Sequence, residues 1–197
     1  MHIHAEKQQN ITNKALKCYI LFSSVTEMQL IVLDNSDIII IKESMEVDNM
    51  SSIFDVAKYI LEKKGELTTM KLQKLCYYSQ AWSLAWYEEP IFNEEFEAWA
   101  NGPVCPQLFN LHRGLFSINY REIPDKYGAD NLSSTQIDII NRVLDFYGDR
   151  DSHWLSELTH MERPWKAARE KANALPGDYC NEIISKEEML DYYSGLS

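Results

Sequence analysis

The chain has 197 residues, 45% hydrophobic and 25% charged, ordinary values for a globular protein with room for one domain and a little more. Its formal net charge is −11 and no basic run interrupts it, which argues against a protein that tracks nucleic-acid phosphates. Seven Gly and six Pro exclude collagen-like and low-complexity chains, and no apolar run approaches the ~20 residues of a membrane-spanning helix.

The acidic balance suits attraction to a basic protein partner. Five Trp and eleven Tyr supply a large buried area per residue. Cys18, Cys76, Cys105 and Cys180 are widely spaced, with no C-x-x-C pair, and read as buried free thiols in a reducing cytoplasm.

Residues 1–49 lack Trp, Pro and Gly. Two apolar runs, Leu30–Leu33 and Ile38–Ile41, flank Asp34-Asn35-Ser36-Asp37, so one reading is a β-hairpin. The other is a translated leader. Met45-Glu46-Val47 is encodable as ATG-GAG-GTN, which contains the strong ribosome-binding sequence GGAGGT, and Met50 follows at the usual distance for a start codon. The stretch Ala15 to Phe22 is too short and poorly flanked for a signal peptide. The functional reading therefore rests on 50–197, which keeps a net charge of −8 from 15 Lys and Arg against 23 Asp and Glu.

From Met50 onward helices dominate. Ser52 and Asp55 form a capping-box pattern before Ile53, Val56, Ala57, Ile60 and Leu61, a one-faced outer helix that ends at Gly65. Thr68 caps a second helix reaching about Trp86. Its apolar residues surround it, from Leu72, Leu75 and Cys76 to Tyr77, Tyr78, Ala81 and Trp82, which predicts a buried central helix. Glu88-Glu89-Pro90 ends it.

Phe96–Ala100 alternates as a short strand does, Asn101-Gly102-Pro103-Val104 reads as a tight turn, and Pro106 opens another helix through Leu108, Leu111 and His112. Residues 114–131 read as a loop with one short strand near Ile118. Ser133 with Gln136, Asp151, and Ser185 with Glu188 start three more helices, and Pro164 interrupts the middle one before Trp165. The expected fold is mainly α: a single compact helical domain around a buried central helix, with one or two short strands.

Three segments, Leu67–Trp82, Phe96–Val104 and Leu158–Trp165, resemble in order and spacing the Panacea antitoxin domain, also described as SocA-like or phage-associated GepA-like. The resemblance spans roughly Met50 to Tyr193. It implies a mainly helical antitoxin of a two-gene toxin–antitoxin system, often carried by phages or prophages, acting by protein–protein contact on a cognate toxin from a neighbouring gene. One member also resembles an adaptor that delivers its toxin to a cellular protease. No helix-turn-helix with a basic recognition helix is evident, so nucleic acid is not the expected partner, nor is a membrane.

The residues that stand out in these segments are Lys71, Lys74, Tyr77, Trp99, Asn101, Gly102, Pro103, His160, Pro164 and Trp165. Lys71 and Lys74 would pair with acids, Glu97 being one partner for them. Asn101-Gly102-Pro103 has too few glycines for a phosphate cradle and fits turn geometry. Trp99 reads as core ahead of a binding anchor.

His160 would serve either as a general acid–base in a small hydrolase or as a brace for the turn before Pro164. No recognised nucleophile motif accompanies it, which favours the brace. Glu88-Glu89, Glu94-Glu95 and Glu187-Glu188 read as solvated charge. His2 and His4 are the one metal-like pair, and they fall in the doubtful leader. The sequence thus predicts no catalytic residue, no metal and no cofactor.

Overall fold

The computed structural model describes the backbone of residues 17–24, 27–34 and 37–44 and the whole of 50–196. The chain divides into two units, Met1–Asn49 and Met50–Ser197.

In the first unit β1 (Lys17–Ser24), β2 (Glu27–Asp34) and β3 (Asp37–Ser44) form an antiparallel sheet in that order. The two apolar runs pair with each other, Leu33 opposite Ile38 and Leu30 opposite Ile41, and β1 adds a strand that the apolar pattern had not marked. The turn residues Asn35 and Ser36, the Met45-Glu46-Val47 stretch, and His2 and His4 lie outside the described residues.

In the second unit α1 (Ile53–Lys64) starts from the Ser52–Asp55 capping box and stops at Gly65, whose φ of 77° suits a residue without Cβ. It is not a one-faced outer helix. Asp55, Lys58 and Tyr59 are also buried, because the 114–131 segment closes over that side. Asp55 Oδ1 accepts from the Gly128 N–H and from Asn131 Nδ2, and Lys58 Nζ donates to Pro124 O and to Asp125.

After β4 (Leu67–Thr68), α2 (Thr69–Tyr87) runs through the centre, capped by Thr68 and ended by Glu88 in the left-handed region. Its residues from Leu72 to Ala81 are all buried. Around it pack α1, β5 (Phe96–Trp99) and β6 (Gly102–Val104), α3 (Pro106–His112), α4 (Ser134–Tyr147), α5 (Ser152–Met161), α6 (Arg163–Lys171) and α7 (Lys186–Ser194). The closest neighbours of α2 are α7 and α4. All-round apolarity and central burial thus agree, and the fold is mainly α.

The strands are more numerous than expected but short. β7 (Ser117–Ile118) pairs with β4, and β8 (Ile183–Ile184) joins the far edge of β5. Two 3₁₀ turns, Tyr120–Glu122 and Ala129–Asn131, order the loop that covers α1.

The turn expected at Asn101–Val104 lies two positions earlier, at 99–102. Trp99 pairs with Gly102, so the turn lies over Ala100 and Asn101 and β6 begins at Gly102. Gly102 has φ of 94°, so the left-handed residue that follows the turn is the one that needs no Cβ. Among the described residues, no helix is long and apolar enough to cross a membrane.

Candidate functional site

The β5–β6 hairpin is held by side chains that donate to its backbone from three helices. From α2, Lys74 Nζ donates to Pro103 O at 3.0 Å, while the Gln73 amide exchanges two bonds with Cys105, accepting from its N–H at 2.9 Å and donating to its carbonyl at 3.3 Å. From α5, Ser156 Oγ donates to Asn101 O at 3.0 Å. From α6, Trp165 Nε1 donates to Trp99 O at 3.0 Å and Arg169 Nη1 to Ala98 O at 2.9 Å.

An edge hairpin of four and three residues cannot satisfy its own carbonyls, and these donors do so in the interior. The three resembling segments meet here: one supplies the hairpin, one α2, and one the junction of α5 and α6.

Lys74 and Arg169 are both buried cations, 1% and 4% exposed. Arg169 spreads its charge over three carbonyls, Ala98, Leu175 and Asp178. Lys74 has Pro103 O alone, and burial lowers its pKa to about 7. The expected pairing with Glu97 is not made. Glu97 lies on the outward side of β5, where its carboxylate accepts from Trp99 Nε1 at 2.7 Å. Lys71 is half-buried near Lys64, Asp149 and Asp151, and burial lowers its pKa most, followed by the charge on Lys64.

Trp99 is not core. Burial alternates along β5, with Phe96 and Ala98 inward and Glu97 and Trp99 half-exposed, so the indole instead walls a surface cavity beside Phe109 and Tyr179. Asn101 is exposed at the hairpin tip, whereas Gly102, Pro103 and Pro164 are buried. Tyr77 is fully buried, edge-on to Phe96 at 5.3 Å and to Tyr78 at 5.5 Å.

His160 stacks on the indole of Trp165 with centroids 4.3 Å apart, bracing α5 against α6. Its nearest acid is Glu157, 3.8 Å from Nδ1. Burial lowers the His160 pKa, Glu157 opposes this, and the charges on Lys74 and Arg169 act with burial.

A second polar cluster lies behind the hairpin. Glu162, 4% exposed, accepts from Tyr193 Oη at 2.7 Å and from Tyr78 Oη at 3.2 Å, joining α2 and α7 to the α5–α6 junction. Burial raises its pKa to about 7 against the lowering effect of the two hydroxyl bonds. Tyr78 also stacks on Tyr147 at 4.2 Å.

Sequence reading missed Gln73, Ser156, Glu162, Tyr193 and Arg169. Gln73 and Glu162 stand inside two of the resembling segments, Glu162 at the cap between α5 and α6. Ser156, Tyr193 and Arg169 sit on helix positions whose inward aim depends on packing. Cys105 is held as a thiol, its pKa pushed up to about 11 by burial, and burial also raises the Cys76 thiol well above its ordinary value. Among the described residues no group of three His, Cys, Asp or Glu side chains is gathered as metal ligands would be.

A central helix wrapped by six others, with a short hairpin tied down by their side chains, defines a mainly α-helical domain whose distinctive residues are spent on internal support. Residues 72–166 match the family model described as antitoxin SocA-like, Panacea domain, a stretch that runs from α2 to α6 and includes the whole hairpin. Over those residues the chain is similar to the Panacea domain of SocA-like antitoxins. No curated protein and no solved structure matches the sequence.

Proposed function

We propose that this chain is the antitoxin of a two-gene toxin–antitoxin system, that it neutralises a protein toxin by direct binding, and that it performs no chemistry. The match of residues 72–166 to the antitoxin family carries this reading. The disposition of the motif side chains supports it. Lys74, Gln73, Trp165 and Ser156 hold a hairpin, and His160 is stacked on an indole with the exposed Glu157 carboxylate at 3.8 Å instead of facing a nucleophile. A hydrolase needs a base within reach of the proton it removes, so the His160 hydrolase reading is set aside.

The toxin's contact face is basic on this reading, because the second unit carries a net charge of −8. The test is co-expression with the neighbouring open reading frame. Growth arrest by the neighbour alone, rescue by this chain, and co-purification of the two support the proposal. A harmless neighbour refutes it. Rescue accompanied by protease-dependent loss of the toxin would replace neutralisation by binding with delivery for degradation.

A further inference from the structure

A cavity of about 430 Å³ opens between the start of α2, the hairpin and α3. This is within the range of roughly 300–1,000 Å³ typical of small-ligand sites. Its walls are aromatic. Trp99 meets Phe109 edge-on with centroids 4.8 Å apart and lies 6.4 Å from Tyr179, whose ring is 75% exposed.

Its polar lining comes from Thr69, Gln73, Lys74, Asn101 and His112. Gln73 and His112 satisfy each other, Nε2 to Nε2 at 3.0 Å, and the remaining Gln73 groups are taken by Cys105. Lys74 differs. Its ammonium has three N–H groups, one acceptor at Pro103 O, and no carboxylate within 4.0 Å among the described residues.

Lys74 lines the cavity together with Trp99 and Val104, and its ammonium reaches the hairpin backbone at Pro103 O beside them. An interior cation without a counter-ion is costly; it is relieved by loss of the proton or by an anion, and an anion entering the pocket supplies the partner the ammonium lacks.

We propose that this cavity binds a carboxylate attached to a flat apolar group, the carboxylate pairing with the Lys74 ammonium and the apolar group lying among Trp99, Phe109 and Tyr179. The ligand is either a small aromatic acid or the C-terminal carboxylate of a peptide ending in an aromatic residue. The inference does not depend on the antitoxin reading.

The test titrates the full-length protein with phenylacetate and with phenylacetamide, its uncharged counterpart, following tryptophan fluorescence and heat of binding. Parallel titrations use a short peptide ending in Phe, as the free acid and as the C-terminal amide. Phenylacetate is expected to bind at least about tenfold more tightly than phenylacetamide. Lys74→Met, checked for folding by circular dichroism and a cooperative melt, is expected to lose that preference. Tyr179→Ala alters a mostly exposed ring and should weaken phenylacetate binding several-fold with the fold intact, so the proposal stays testable if Lys74→Met does not fold. A free-acid peptide that outcompetes phenylacetate assigns the site to a chain terminus; phenylacetate binding without peptide binding assigns it to a small acid. Equal affinity for acid and amide, no saturable signal up to about 10 mM, or undiminished binding by Tyr179→Ala overturns it.

Discussion

The Lys74 ammonium and the Pro103 carbonyl oxygen lie 3.0 Å apart, joining the central helix to β6, the second strand of the hairpin. The bond belongs to a set in which helix side chains donate into one short stretch of backbone, Ala98 to Cys105. Each such bond is worth about 1 kcal/mol net, but its loss strands a buried carbonyl at a further cost. The hairpin is therefore stable only as part of the helical frame, since an isolated hairpin of this length is marginal.

Lys74 makes stability rise with pH on the alkaline side. Its pKa falls from 10.5 to about 7 on folding. Between these values the unfolded chain holds a proton that the folded chain has released, so folding gains as pH rises through the window. The burial penalty is present in full below about pH 7 and gone above the unfolded value. Urea unfolding of the wild type and Lys74→Met at several pH values should show the wild type gaining by up to roughly 5 kcal/mol across the window. A constant difference between the two would show that Lys74 is not held against its charge.

Glu162 acts in the opposite sense at lower pH. Its carboxyl pKa rises from 4.5 to about 7 on folding. Between these values the folded state keeps a proton that the unfolded state loses, so stability declines as pH rises through them. Glu162→Gln resembles the protonated acid, and its stability relative to wild type should improve by about 3 kcal/mol from pH 4.5 to pH 7. Thermal melts at the two ends of the window measure this directly. Tyr193→Phe removes the shorter of the two bonds to Glu162 and should destabilise the fold at both ends.

Gly102→Ala should be among the most damaging single-methyl changes in the chain. The added Cβ would lie 2.6 Å from Thr159 Oγ1 and 2.8 Å from Lys74 Cε, at a φ of 94° that side chains avoid. Strain and overpacking together should cost about 2–4 kcal/mol, read as a lower urea midpoint with an unchanged slope. Gly65→Ala, at φ of 77° with no atom within 4 Å, carries the backbone strain without the clash and should cost about 1 kcal/mol.

Trp165→Phe and His160→Ala separate support from chemistry. Trp165→Phe removes the donor to Trp99 O and should cost about 1–3 kcal/mol. His160→Ala removes a stacked ring and should cost about 0.5–1.5 kcal/mol. On the antitoxin proposal, a folded His160→Ala protein still rescues growth. Loss of rescue with folding intact would return His160 to a functional role.

What the sequence determined by itself was local. Caps at Ser52, Thr68, Ser133, Asp151 and Ser185, with 3.6-residue apolar spacing, placed the helix starts, because a cap and its helix lie within one turn of each other. The all-round apolarity of α2 marked it as central for the same kind of reason. The tertiary structure alone decided which partners the polar side chains take. Lys74 turned from Glu97 to a carbonyl 29 residues away, Glu162 found two tyrosines from separate helices, and Trp99 moved from core to cavity wall. Those outcomes depend on how helices pack and which face a short strand presents, and both are settled by side chains far apart in the chain.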